Sequence, residues 1–389
     1  MGRVALVVLD GMGIGGAPDA AEYGDVGSNT LGNVAEAVGG FALPGLEALG
    51  LGCCRPLRGM ACPDRPAAAH GVAVPVSHGK DSTTGHWELC GLILERPFPT
   101  YPDGFPSEVL DPFVAATGRG VLGNKAASGT AIIEELGERH LATGDWIVYT
   151  SADSVFQIAA HEAIVPLEEL ESAARAAREI LRGPHAVSRV ITRPFVGEPG
   201  AFRRTAHRRD FSLEPLGETL LDRLAAAGVP RIGVGKVDDL FAGRNITSRH
   251  TASNPEAYAL IAEALRDADW GFIFANVIEF DQSWGHRNDV QGFYQGLQEL
   301  DATLPSLTGL LRDDDLMILC ADHGNDPTTS STDHAREVVP ILVVGPGVRP
   351  VPLGRRATFA DVGATVAEYF GVDSPAGTSF LSEVAGHRE

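Results

Sequence analysis

Short, unbroken apolar runs alternate along this chain with segments whose apolar positions recur every three or four residues. The runs are 4–9 ("VALVVL"), 231–235 ("RIGVG"), 271–281 ("GFIFANVIEFD"), 316–324 ("LMILCADHG") and 339–345 ("VPILVVG"). Because they show no internal polar alternation, they predict strands buried on both faces, as in a parallel sheet. Segments 216–228 ("LGETLLDRLAAAG") and 254–268 ("NPEAYALIAEALRDA") carry the helical period and predict crossovers between strands. The expected fold is therefore α/β, a doubly wound and mostly parallel sheet with its site at the strand C-termini.

The pattern changes character from about Phe98 to about Asp210. There the chain reads as Pro-rich "RPFPTYPDGFP", one helical stretch "PLEELESAARAAREILRG" and arginine-dense "RRTAHRRD". This predicts a discontinuous core of 1–97 and 211–389, with 98–210 as an inserted domain. At 389 residues, a second domain or a large insertion is expected on length alone.

Charge and cysteines narrow the partners. A formal net charge of -20 repels phosphate backbones, so no nucleic-acid partner is expected. No apolar run approaches the roughly 20 residues of a membrane span, and none is expected to enter a membrane. The five cysteines, Cys53, Cys54, Cys62, Cys90 and Cys320, lack the spacing of a zinc module and point to a reducing, cytoplasmic setting. A small-molecule substrate follows as the expectation.

Candidate chemistry gathers where the apolar runs end. Asp10 closes the first run, Asp281 and His286 follow the third ("EFDQSWGHRND"), and Asp322 and His323 follow the fourth ("ADHGND"), with His334 in "TDHARE" soon after. Six carboxylate and imidazole ligands at adjacent strand ends divide naturally into two metal sites, and the mix suits Mn²⁺, Mg²⁺ or Zn²⁺ rather than a thiolate-seeking ion. The glycines of "GMGIGG" (11–16) match a dinucleotide fingerprint, but Pro18 and the absence of a following helical stripe argue for a turn after Asp10. A third constellation is "GKDSTTGHWE" (79–88), in which three consecutive hydroxyls follow one of only three lysines among 31 basic residues. Lys80, Lys125 and Lys236 all sit in loop-like, glycine-bearing settings, and a compact ammonium beside a nucleophile suits phosphate.

Long stretches carry a family resemblance: "VVLDGMGIGGAPDAAEYGDVGSNTLG", "GKDSTTGHWE", "GNKAASGT", "YTSADSVFQIAAHE", "RPFVGEPGAFRRT", "GHRNDVQGF", "ADHGNDPTTSSTDHARE" and "GATVAEYFGV". In these the chain resembles, almost end to end, the phosphopentomutases of the alkaline phosphatase superfamily. The resemblance implies an alkaline-phosphatase-type core with an inserted α+β cap. It implies interconversion of ribose 1-phosphate and ribose 5-phosphate, or of the deoxyribose pair, through a phosphoenzyme and a 1,5-bisphosphate, with a sugar bisphosphate as activator. It places one Mn²⁺ on Asp10, Asp322 and His323 and a second on Asp281, His286 and His334. Sugar-phosphate contacts carry over to Ser151, Asp153, Arg189 and Arg204; Lys80, beside the nucleophile, is expected to bind the substrate phosphate as well.

The nucleophile is where the chain departs from its family. Ser82 stands where the family typically carries a phosphorylated threonine, and it would also contact metal. The residues alone leave Ser82, Thr83 and Thr84 open; the register of the motif favours Ser82. A serine keeps the same chemistry, because a primary alcohol also ionises against metal and forms a phosphomonoester. Two rival functions remain on the same residues: a metal-dependent phosphatase or sulfatase-like hydrolase, and a non-catalytic phosphosugar-binding protein.

Overall fold

The computed structural model describes residues 2–151 and 154–385. These form two compact units, one of Met1–Arg96 with Pro215–Glu389 and the other of Pro97–Glu214.

The larger unit is built on an eight-stranded sheet. Its strand order is Ser248–Arg249, Arg231–Val234, Gly271–Val277, Arg3–Leu9, Leu316–Cys320, Val339–Val344, Ala69–Ala73 and Pro352–Arg356. From the first of these to Leu316–Cys320 every pairing is parallel; Val339–Val344 then runs antiparallel to both its neighbours. The central strands Arg3–Leu9, Gly271–Val277 and Leu316–Cys320 are buried along their whole length, as their unbroken apolar runs require. Register puts Leu9 opposite Val277 and Val8 opposite Cys320, so these strands finish side by side. The sheet thus presents its carboxylates on one edge.

One run boundary differs from the expectation. The run 271–281 stops being a strand at Val277 and continues as a π-helical turn over Phe280–Trp284, which tilts Asp281 inward. The strands Ala69–Ala73 and Pro352–Arg356 were not foreseen: one is short and interrupted by Gly71, the other is polar and largely solvent-facing. The helix expected over 254–268 spans Asn254–Asp267, with Ser253 as its N-cap. The segment 216–228 gives only Leu220–Ala226, started by a Thr219–Asp222 capping box.

The smaller unit carries a six-stranded mixed sheet. Helix Gly129–Thr143 covers one face, where Leu122, Ile132, Ile133, Leu136, Tyr149 and Phe195 form a core. Helices Ser107–Thr117 and Leu167–Ile180 cover the other, around Phe113, Trp146, Phe156 and Ile158.

Among the described residues no helix is long and apolar enough to cross a membrane. The cysteines, read from sequence as pointing to a reducing setting, include one pair: Cys53 and Cys62 are disulfide-bonded, while Cys54, Cys90 and Cys320 are free.

Candidate metal centre

The three parallel strands each deliver one carboxylate, and the loops that follow bring the imidazoles to them. Asp10 lies just past Leu9, where its Oδ2 accepts from Asn276 Nδ2 at 3.0 Å and its Oδ1 stands 3.3 Å from His323 Nε2. Asp322 Oδ1 accepts from the Gly11 backbone N–H at 3.1 Å. Asp281 Oδ1 accepts from Asn325 Nδ2 at 2.7 Å, while its Oδ2 is 3.2 Å from His286 Nε2 and its Oδ1 is 3.4 Å from His334 Nε2.

All six residues expected as metal ligands therefore meet at one edge of the sheet. Ligand atoms of Asp281, His286 and His334 lie within 4.8 Å of one another, and so do those of Asp10, Asp281 and His323. Asp281 belongs to both groups and stands between them. The expected first set differs in one respect: Asp322 reaches it through His323, at 3.4 Å, rather than as part of the tight trio.

Backbone acceptors fix the imidazoles. His286 Nδ1 lies 2.7 Å from the Thr332 carbonyl and His323 Nδ1 lies 3.0 Å from the Gly324 carbonyl, so each ring holds its proton on Nδ1 and aims Nε2 at the carboxylates.

The chemistry of this donor set fits divalent cations. Asp10, Asp281 and Asp322 are buried together, and Asp322 Oδ2 has no hydrogen-bond partner. His86 Nδ1 lies 3.0 Å from that oxygen but also 2.9 Å from the Ser82 carbonyl. The carboxylate oxygen and the carbonyl compete for the single Nδ1–H of His86. Burial raises the Asp10 carboxyl, and the Asp322 and Asp281 charges push it the same way. Burial also opposes ionisation of Asp281, but the facing His334 and His286 hold it well below the ordinary carboxylate range. His286, despite burial, is pushed up to about 9 by Asp281. Without a cation the histidines must supply the compensating charge; metal would replace it.

The helix Ser82–Leu89 aims its first residue at this cluster. Asp81 is the N-cap, accepting from Thr84 N at 3.1 Å and from Thr84 Oγ1 at 2.6 Å. Ser82 Oγ stands 3.1 Å from His323 Nε2 and 3.4 Å from Asp10 Oδ1. One turn on, Gly85 packs so closely on Asp322 that a Cβ there would come within 2.1 Å of its carbonyl oxygen. Only glycine allows the helix to seat.

Lys80 is engaged by carboxylates. Its Nζ lies 3.0 Å from Asp25 Oδ1 and 3.3 Å from Asp333 Oδ2, joining the turn before Ser82 to the loop that carries His334. The other two lysines also have partners, Lys125 in Glu135 and Lys236 in Gln282.

In the Pro97–Glu214 unit, Arg189 opens its strand 3.8 Å from Asp210 Oδ2, and Arg204 sits exposed on Arg203–Arg204. Ser151 follows the strand Trp146–Thr150, half-buried; Asp153 lies outside the described residues.

Sequence reasoning passed over His86, Asn276 and Asn325. Asn276 could have been found, since it is the one polar side chain in an otherwise apolar buried strand. Asn325 lies inside the motif "ADHGND", but only the fold shows that it faces Asp281.

The sequence pattern of the metalloenzyme superfamily matches residues 2–374. The chain is 55% identical over 386 residues to a phosphopentomutase of Carboxydothermus hydrogenoformans, covering 99% of this chain and 100% of that one. It is 54% identical to a phosphopentomutase of Herpetosiphon aurantiacus, covering 98% of this chain and 99% of that one. Among solved structures, a Leishmania mexicana phosphoglycerate mutase is 14% identical, with a TM-score of 0.47 and 96% of each chain covered.

Proposed function

Because this chain belongs to the phosphopentomutase family within the metalloenzyme superfamily, we propose that Ser82 is the residue on which the phosphoryl group of its pentose phosphate is exchanged. The enzyme is an isomerase that moves a phosphoryl group within its substrate. Its substrates are ribose 1-phosphate and ribose 5-phosphate, or the deoxyribose pair.

Two divalent ions, Mn²⁺ first and Mg²⁺ or Zn²⁺ as alternatives, would be held by Asp10, Asp322 and His323 and by Asp281, His286 and His334, with Asp281 close enough to both sets to serve either. Bound there, they neutralise charge on the transferring group and favour an ionised hydroxyl near neutral pH. The chain supplies position. Asp81 caps the helix so that Ser82 faces the cluster, and Gly85 lets that helix seat on Asp322.

Phosphorylated Ser82 gives up its P–O bond as a sugar hydroxyl oxygen forms a new one. The proton lost by the sugar hydroxyl is balanced by the one Ser82 Oγ regains. The resulting 1,5-bisphosphate turns over and returns its other phosphoryl group to Ser82 by the same exchange. A sugar bisphosphate primes the unphosphorylated enzyme, which is why it would activate. The 98–210 segment would bind the sugar phosphate through Ser151, Asp153, Arg189 and Arg204. Lys80, balanced by Asp25 and Asp333, acts as a positioning residue for the nucleophile turn.

One observation carries the assignment. Of the three consecutive hydroxyls, Ser82 faces both Asp10 and His323, whereas the Thr84 hydroxyl is taken by Asp81 and Thr83 is buried. The test incubates enzyme and Mn²⁺ with ribose 1,5-bisphosphate and maps the phosphate, then follows ribose 1-phosphate conversion against inorganic phosphate release. Phosphoserine at 82 with ribose 5-phosphate as product is expected. Phosphate on Thr83 or Thr84 would reassign the nucleophile, and stoichiometric phosphate release would make the enzyme a hydrolase.

A further inference from the structure

Between strand Ala69–Ala73 and helix Ser82–Leu89, residues 74–81 belong to no helix or strand, so their backbone groups must find partners outside any ladder. Two buried charged side chains divide that task. Glu88, on the helix itself and 1% exposed, takes N–H groups: its carboxylate accepts from Val76 N at 3.1 and 3.2 Å and from Ser77 N at 2.7 Å. Arg336, 3% exposed, takes carbonyls: Nη1 donates to Ser77 O at 2.7 Å and to Gly79 O at 2.6 Å, and Nη2 donates to Pro75 O at 3.2 Å.

The guanidinium is itself held from the other side. Its Nε and Nη2 donate to the Asp19 carboxylate, Nη2 at 2.9 Å, and the Tyr23 ring lies 4.7 Å from Cζ. The Tyr23 hydroxyl in turn accepts from Gly79 N at 3.3 Å, and the Arg336 backbone N–H donates at 2.8 Å to Asp25, the carboxylate that engages Lys80. Gly79 has φ +147° and lies so close to the helix that a Cβ there would come within 2.7 Å of Thr84 Oγ1. Arg336 therefore ties the segment 19–25 to the turn that enters the Ser82 helix.

Fork geometry accounts for the residue type. Three carbonyls and a carboxylate spread around one side chain need a planar group with five N–H donors, and a lysine ammonium, with its donors on a single atom, cannot reach them together. None of these contacts is with a metal ligand. We propose that Arg336 is a positioning residue for phosphoryl transfer, holding the 75–79 backbone so that the helix presents Ser82 Oγ to Asp10 and His323. This role rests on the reading of Ser82 as the nucleophile and names what sets its position, where a displacement of an ångström is costly in rate.

The test uses the intact Mn²⁺-loaded enzyme and rapid-quench transfer of phosphate from ribose 1,5-bisphosphate to Ser82, with steady-state kinetics on ribose 1-phosphate and hydrogen exchange alongside. Arg336→Lys keeps the charge opposite Asp19 and loses the fork. It should slow phosphoserine formation and lower kcat by about 10- to 100-fold, with the final phosphoserine yield, KM and metal content unchanged. The amides of Val76, Ser77, His78 and Gly79 should exchange faster, while those of helix Asn254–Asp267 stay as in wild type. A purely structural role would lower the yield of phosphoserine and leave its rate alone, and that result would overturn the proposal. So would a change confined to KM, which would make Arg336 a substrate contact. Asp19→Asn, at a side chain one-third exposed, loosens the guanidinium without emptying a buried space and should give a smaller loss of the same kind; if Arg336→Lys fails to fold, an unchanged phosphorylation rate in Asp19→Asn overturns the role. A wild type that forms no phosphoserine at 82 would overturn the nucleophile reading and this role with it, whereas phosphoserine formed equally fast by wild type and Arg336→Lys overturns this role alone.

Discussion

The ligand cluster of the sheet unit and the arginine cluster of the Pro97–Glu214 unit hold charge in opposite ways. At the strand ends, Asp10, Asp281 and Asp322 are buried and each is gripped by a donor from a different element: Asn276, Asn325 and the Gly11 backbone. Their positions are set before anything binds. In the other unit, Arg204 stands exposed on a two-residue strand and Arg189 reaches its carboxylate only at 3.8 Å. The first arrangement suits chemistry, where displacement by an ångström is costly. The second suits a ligand that supplies the missing charge itself.

Substitutions in the sheet unit should separate nucleophile from scaffold. Ser82→Ala should lower kcat by about 10⁴-fold or more, as for deletion of a covalent nucleophile, with metal content intact. Ser82→Thr should retain much of the activity. If Ser82→Ala kept even a tenth of wild-type turnover, the contrast between a reacting and a binding region would collapse.

Asp281→Asn probes sharing. Because Asp281 faces both ligand groups, elemental analysis should find both metals depleted rather than one. Loss of a single equivalent would place Asp281 in one site only and return the centre to two independent sets. Chelation of the wild type should abolish turnover, and added Mn²⁺ should restore it.

Lys80→Met tests a positioning role at the border of the cluster. Breaking its ties to Asp25 and Asp333 should cost roughly 10- to 100-fold in activity, the range for residues that orient metal ligands and their neighbours. Lys80→Arg should rescue part of it. A change confined to KM would instead make Lys80 a substrate contact.

The smallest effect is expected where charge is merely decorative. Arg58 and Glu36 form an ion pair 3.0 Å long with both side chains more than half exposed. Arg58→Ala should alter stability by less than about 0.5 kcal/mol in thermal unfolding, since solvent and salt screen such pairs. A larger loss would show that exposed pairs in this protein cannot be set against its buried ones.

Much of the site could be read from sequence because its ligands are tied to strand ends. An apolar run long enough for a buried strand, followed at once by Asp or His, fixes where in a parallel sheet that side chain must emerge. Asp10, Asp322 and His323 were placed on that ground, and His334 by following the fourth run across a short polar loop. The disulfide between Cys53 and Cys62 was not, since spacing alone says nothing of which sulfurs meet.

What the sequence determined by itself, then, was the alternation that builds the sheet, the break in pattern near Phe98 and Asp210, and the residue types gathered at the strand ends. All of these are local: period, run length and neighbouring residues decide them. Tertiary structure alone decided which hydroxyl of "STT" faces the carboxylates, because that depends on the Asp81 cap and on Gly85 meeting a backbone more than two hundred residues away. It also decided that Asp281 stands between two ligand groups, through a π-helical turn no local pattern announces.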